Sequence, residues 1–395
     1  MMSWLRARRG VKLQIDPERP YAIALEGGGA KGAYQIGAWR ALKEAGVQIC
    51  AVAGTSVGAL NGAFICMDML EEAEQLWDHI SMSSVIARED MFRRGGSEYM
   101  NWFRALKEGG FDISPLRQLI EDHISEQRVK ESAVKFYIMT YSVTERRELV
   151  VDAQTLASGS LNEMILASAS LPFFKVQKID GIRYMDGGMF DNVAVEPLIQ
   201  RGYQNIIALR IYGVGHDKRS EIPEGCCVHA IAPRHALGKI LQFEEKRCRR
   251  ERRLGYYDGM RMLYGLRGRR YYIDDAVSEA EYFRRLTDLD SGVMSGVLEK
   301  MGLLPKDSDK NLRVYVERAL PRIAKELDLA DSCTYQELYV AMLELTAHIY
   351  KIEVLGIYTV GQLLEQIRQR QCQMKKRDEA VLPVCVNIIC NQKDV

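Results

Sequence analysis

Three short motifs in this 395-residue chain could carry chemistry. The first is Gly54-x-Ser56-x-Gly58. A serine between glycines suits a strained strand-to-helix turn that exposes its hydroxyl as a nucleophile. Side chains at the flanking positions would clash at the turn and block substrate. The second is the loop Gly27-Gly28-Gly29-Ala30-Lys31-Gly32. It fits G-x-G-x-x-G, the pattern of a dinucleotide site. Such a site also needs an acid ending the next strand, about 20 residues on. Here that strand ends in Ala53-Gly54-Thr55-Ser56, with no acid. The other use of such a loop is an oxyanion hole, where amides free of side chains meet developing negative charge. Gly28 and Gly29 are the best donors, and Lys31 adds positive charge nearby. The third motif is Asp186-Gly187-Gly188. Two glycines after an aspartate leave its carboxylate open to approach, as a base that orients or deprotonates Ser56.

These residues need a frame. Tyr21–Leu25 reads as a short buried strand, broken by the glycine loop and followed by a helix to about Ala45. Tyr34, Gly37, Ala38, Ala41 and Ala45 share one face of that helix, mostly small, which suits close packing. Ile49–Ala53 reads as a second strand, ahead of the serine turn and a second helix. Strand–helix–strand–helix is the unit of a parallel α/β sheet. Asn205–Ile211 and Cys227–Ile231 add strands. From Ala45 to Met67 there are 23 consecutive uncharged residues, with Gly54, Gly58 and Gly62 in a small-xxx-small pattern. Length alone would allow a bilayer span. The strand, turn and helix reading explains the run as burial, and its glycines, Thr55, Ser56 and Asn61 make a poor lipid-facing surface.

The ordered set of Gly27–Gly32, Gly54–Gly58 and Asp186–Gly188 resembles the patatin-like phospholipases, the bacterial ones especially. Ala169-Ser170-Leu171-Pro172-Phe173-Phe174 resembles the family's segment ahead of the aspartate. The resemblance spans about residues 20–211. It implies a three-layer α/β fold with a mainly parallel central sheet. It further implies a Ser–Asp dyad, with Ser56 as nucleophile and Asp186 as base, and lipid acyl hydrolysis without metal or cofactor. An α/β-hydrolase triad of Ser56, Asp186 and one of His216, His229 or His235 is a second reading. It conflicts with the single helix and strand between Gly32 and Ser56. A ligand-gated effector or binding module on the same fold is a third.

Lys plus Arg number 54 and Asp plus Glu 53, a net charge of +1. That balance excludes a globally basic nucleic-acid binder. Locally, Lys246, Arg247, Arg249, Arg250, Arg252 and Arg253 form a cationic run that could meet anionic lipid headgroups at a membrane surface. Nine cysteines without a CxxC pair support neither a disulfide framework nor a zinc ribbon. Trp77, His79 and His123 form no metal-ligand set, so no metal is expected. The N-terminus is basic but lacks a secretory pattern, and a cytoplasmic location is expected, with possible peripheral contact at the membrane. Strand-like runs nearly vanish past Arg234. The expected organisation is a basic extension over 1–19, an acyl hydrolase domain over 20–233, and a mostly helical region over 234–395, with homo-oligomerisation open.

Overall fold

The computed structural model describes residues 13–87, 110–175, 177–218, 220–373 and 382–392. Most of the basic extension expected over 1–19 lies outside the described residues. Strand β1 (Pro20–Leu25) pairs in parallel with β2 (Gln48–Thr55) and β7 (Asn205–Leu209). β2 also pairs in parallel with β3 (Lys135–Ser142), and β7 with β8 (Cys227–Ile231). The hairpin partner β4 (Arg147–Asp152) and the ribbon β5 (Gln177–Ile179) and β6 (Ile182–Asp186) add antiparallel strands. The result is an eight-stranded, mainly parallel sheet.

Period-two alternation gives β1 and β2 two unlike faces. Ala22, Ala24, Ala51 and Ala53 line one face, under the segment Val193–Leu198. Their small size admits that segment and its helix Val195–Gln200 close to the sheet. On the other face, α2 (Val57–Cys66) lies against β2 and β3. A Cβ at Gly62 would sit 2.7 Å from the Phe136 ring and 3.1 Å from Val52 Cγ1. Helices on both faces make three layers. Every residue of α2 is buried, and so is Ala51–Thr55 of β2. From Ala51 to Met67 the uncharged run is therefore interior protein. No helix among the described residues is long and apolar enough to cross a membrane.

The described chain forms two compact units, Leu13–Tyr264 and Gly265 onward. The unit that holds the sheet thus runs to Tyr264. The cause is the pairing of α1 (Ala33–Glu44) with the long helix Glu245–Tyr264. A Cβ at Gly37 would fall 1.8 Å from Arg252 O, and one at Gly255 would fall 1.8 Å from Tyr34 O. The two backbones touch, so the small face read from Gly37, Ala38 and Ala41 receives this helix. Polar ties flank the contact: the Tyr34 hydroxyl donates to Asp258 (2.8 Å) and Tyr256 to Glu44 (2.7 Å). Cutting the chain at 233 would strip the cover from α1.

The second unit is helical, as expected, with helices including Glu279–Thr287, Ser291–Lys300, Tyr335–Ile349 and Val360–Gln371. Two short strands, Tyr272–Ile273 and Ile357–Tyr358, pair in parallel. Leu338 and Met342 are buried in its core. The apolar tail forms helix Val384–Cys390 and buries Cys385, Val386, Ile388 and Ile389 against the same core.

Candidate active site

Ser56 and Asp186 meet because two strands divide one edge of β3. β4 pairs with Tyr137–Ser142 along one edge. On the other edge β2 runs up to the pair Thr55–Met139. The antiparallel β6 takes over at the next rung, Asp186–Thr140. The two strands end head to head, and their last residues lead into the serine turn and the aspartate turn.

Ser56 has φ 56° and ψ −122°. Such a conformation costs a non-glycine residue about 1–3 kcal/mol and persists only where the surroundings enforce it. The surroundings here are backbone. A Cβ at Gly54 would lie 2.2 Å from Gly58 O, and one at Gly58 would lie 2.5 Å from Leu25 O. The Ser56 N–H donates to Ser168 Oγ (2.9 Å), whose hydroxyl donates to Met139 O (2.5 Å). α2 begins directly after Ser56, so its positive dipole end lies under the serine.

Asp186 is 3% exposed. Burial pushes its carboxyl up to about 6, against the hydrogen bonds that the Ser56 hydroxyl and the Gly188 N–H donate to it. The Gly188 bond is 2.8 Å long. A carboxylate with this acidity is a better base near neutral pH than an ordinary aspartate. Two of the candidate histidines are placed otherwise. The His216 ring is exposed, while its backbone N–H donates to Gly188 O (3.0 Å) and its carbonyl accepts from Asn192 N (2.8 Å). His229 lies on β8, edge-on to Tyr21. No histidine contributes to the Asp186 shift. Among the described residues, no group of three or more His, Cys, Asp or Glu is placed to hold a metal ion.

In the glycine loop, most amides are already spent. Gly27 N–H is spent on Asn192 O (3.3 Å), Ala30 N–H on Ile240 O (2.7 Å), and Lys31 N–H on Gly28 O (3.3 Å). Gly28 and Gly29 N–H have no backbone acceptor among the described residues. Gly29 has φ +54°, and a Cβ there would lie 2.2 Å from Ile240 O. Lys31 does not aim its charge at the serine, because its ammonium donates to Tyr212 O. Gly32 serves packing: a Cβ there would meet Val57 at 2.5 Å and the Trp77 ring at 2.7 Å. Gly187 lies close against Met139 and Gly188 against Asn192.

Two residues with no part in the motif reading hold this loop. Glu26 is buried and accepts from the N–H groups of Ile211 (2.7 Å), Tyr212 (3.1 Å) and Gly213 (2.9 Å), and from Arg210 Nε (2.8 Å). Asn192 donates to Gly27 O (3.1 Å) and to Glu26 (3.3 Å). An acid closing an apolar strand was the visible signal for Glu26. Nothing local marks Asn192.

A narrow apolar slot opens beside Ser56, with about 50 Å³ of room. Its walls include Leu60, Trp77, Ile80, Leu116, Phe174 and Phe243. A wider depression, walled by Trp39, Lys43 and Arg128, lies away from the serine.

The cationic run does not present one face. Arg252 turns inward to Glu74 (2.8 Å) and Asp78 (2.8 Å). Arg247 turns inward to the buried Glu251 (2.6 Å). Lys246, Arg249, Arg250 and Arg253 are exposed, with Arg249 paired to Glu245 (3.3 Å).

Residues 23–199 match the Patatin family, described as patatin-like phospholipase. The chain carries a patatin-like phospholipase domain. This patatin-like domain contains both the serine turn and Asp186. It is 25% identical over 198 residues to "Neuropathy target esterase sws" of Drosophila melanogaster, covering 48% of this chain and 13% of that protein. It is 26% identical over 196 residues to "Patatin-like phospholipase domain-containing protein 7" of Mus musculus, again 48% and 13%. The chain thus spans a small part of the length of these relatives. The solved structure of VipD from Legionella pneumophila aligns with a TM-score of 0.42 at 13% identity, over 96% of this chain and 93% of that one.

Proposed function

We propose that the patatin-like domain is a serine lipid acyl hydrolase of phospholipase A, lysophospholipase or esterase type. The observation that carries this reading is the strained Ser56, hydrogen-bonded to the buried Asp186 beside the unspent Gly28 and Gly29 amides. Asp186 accepts the Ser56 proton as the oxygen attacks the ester carbonyl. The two amides and the α2 terminus hold the oxyanion. The leaving alcohol takes the proton back from Asp186. Water then attacks the acyl-enzyme with Asp186 again as base, the Ser56 oxygen leaves with the proton that Asp186 returns, and the fatty acid departs. The bacterial members of the family, in which the loop, serine turn and Asp-Gly-Gly stand in this order, are the proposed kin.

Two measurements test the reading. A fluorophosphonate probe should label Ser56 in native protein, and a panel of phospholipids and lysophospholipids should release fatty acid. A folded protein that does neither leaves the non-enzymatic binding module standing.

Substrate contact is proposed as peripheral, from the cytoplasmic side, through Lys246, Arg249, Arg250 and Arg253. Each cation near an anionic surface contributes about 1 kcal/mol. Cosedimentation should rise when phosphatidylserine is added to phosphatidylcholine vesicles and fall at high salt. Equal binding to neutral and anionic vesicles removes this contact.

A further inference from the structure

Arg247 does more than pair with Glu251. Its Nε donates to Leu237 O (2.8 Å), and its Nη1 donates to Lys239 O (2.9 Å) and Gln242 O (2.7 Å). Nη2 also donates to Leu237 O. One guanidinium therefore fills the inside of a loop spanning 237–242. Gly238 stands at φ +80°, where a Cβ would lie 3.0 Å from the guanidinium carbon. The loop has no regular secondary structure of its own to hold it. Arg247 is itself held by Glu251 Oε1 at 2.6 Å, with Glu251 1% exposed.

What this loop touches gives the arrangement its meaning. Leu241 and Phe243 form part of the slot wall beside Ser56. Ile240 O, at the crest, accepts the Ala30 N–H (2.7 Å) and sits over Gly29. The same short segment thus walls the acyl slot and pins the loop that carries the Gly28 and Gly29 amides. The slot holds about 50 Å³, close to the liquid volume of two waters, so a long acyl chain enters only if a wall yields. Leu241 and Phe243 belong to an irregular loop, as Ile80, Val85 and Leu171 of the same wall also do, and the loop of Leu241 and Phe243 is the one that touches Gly29.

We propose that Arg247 is a positioning residue for ester hydrolysis, latching the 237–243 strap so that it sets both the acyl-length preference and the placement of the oxyanion amides. This rests on the acyl hydrolase reading of Ser56. A guanidinium is the group for the task, because its fixed fork of donors satisfies several carbonyls at once, which a lysine ammonium cannot reproduce.

The test compares wild type with Arg247→Met/Glu251→Gln on p-nitrophenyl acetate and octanoate. The paired change avoids leaving a charged carboxylate alone in the interior. Releasing the strap should lower kcat on both esters about tenfold or more, as the amides lose their placement. It should also raise the octanoate-to-acetate ratio of kcat/KM about fivefold or more, as the slot opens. Arg247→Lys should move the ratio in the same direction. If the double variant does not fold, Phe243→Ala, which removes one wall and keeps the latch, should raise the ratio too. A ratio unchanged in the folded variants overturns the proposal, since a merely structural arginine would scale both esters alike. Fluorophosphonate labelling of wild type separates the failures. An unlabelled, inactive wild type sinks the hydrolase reading, while a labelled one with an unmoved ratio sinks only the latch.

Discussion

Ser56→Ala is expected to lose ester hydrolysis by about 10⁴-fold or more, because removing the nucleophile of a concerted set costs nearly the whole catalytic gain. Labelling by the fluorophosphonate should vanish with it. The variant should stay folded. Ser56 N–H keeps its bond to Ser168, and the backbone of the turn is fixed by Gly54 and Gly58, not by the serine side chain. Ser56→Gly is the informative companion. It should be equally inactive yet more stable than Ser56→Ala by about 1 kcal/mol, because glycine adopts φ 56° without a Cβ penalty. Urea titration of the two variants reads that difference. Residual activity within tenfold of wild type would remove Ser56 from the chemistry.

The turn itself was legible because its causes are local. Glycine at 54 and 58 is demanded by backbone atoms within a few residues and by the adjacent β1, so the pattern survives in one dimension. The parallel order of β1 and β2 was legible for a similar reason, since one helix joins them. The meeting of Ser56 with Asp186 was not. It depends on β2 and β6 dividing one edge of β3, a register set by long-range pairing. Only the ordered motif set suggested it, through family resemblance. Asn192 was hidden for the same reason, since its side-chain partners lie more than 160 positions away in the chain, while Glu26 showed only as an acid at a strand end, its partners equally distant.

The cationic run shows the opposite failure. Composition made Lys246–Arg253 look like one surface, but helical periodicity distributes successive residues around the axis. Arg252 falls on the face that meets Glu74 and Asp78, and Arg247 on the face that meets the strap. The compact unit that holds the sheet also runs past 233, to Tyr264. A highly charged helix reads as peripheral, yet Gly255 and Gly259 bring this one onto α1. Small residues between charges were the available signal.

Asp186→Asn should separate catalysis from stability. As the base, the carboxylate must be ionised, so wild-type kcat/KM should rise about tenfold per pH unit up to about 6 and then level. The asparagine variant should be about 10³–10⁴-fold slower across the range, by analogy with loss of a triad carboxylate. Stability should move the other way. Burial raises the carboxyl to about 6 in the folded protein from 3.8. Between those values the folded state binds more protons than the unfolded one, so wild-type stability falls as pH rises through the window. Above it the cost is constant, on the order of 2–3 kcal/mol. The asparagine variant lacks that cost. Its oxygen can still accept the Gly188 N–H, so it should be the more stable protein at pH 7, with the gain vanishing below about pH 4. Taking the difference between the two proteins cancels Asp191 and Glu251, which burial also raises, to about 6 and about 7. An active Asp186→Asn, together with a dead His216, His229 or His235 variant, would replace the dyad by a triad. A variant that is both inactive and less stable at pH 7 would show that Asp186 holds the turn together more than it costs to bury, and its role as base would then rest on the pH profile alone.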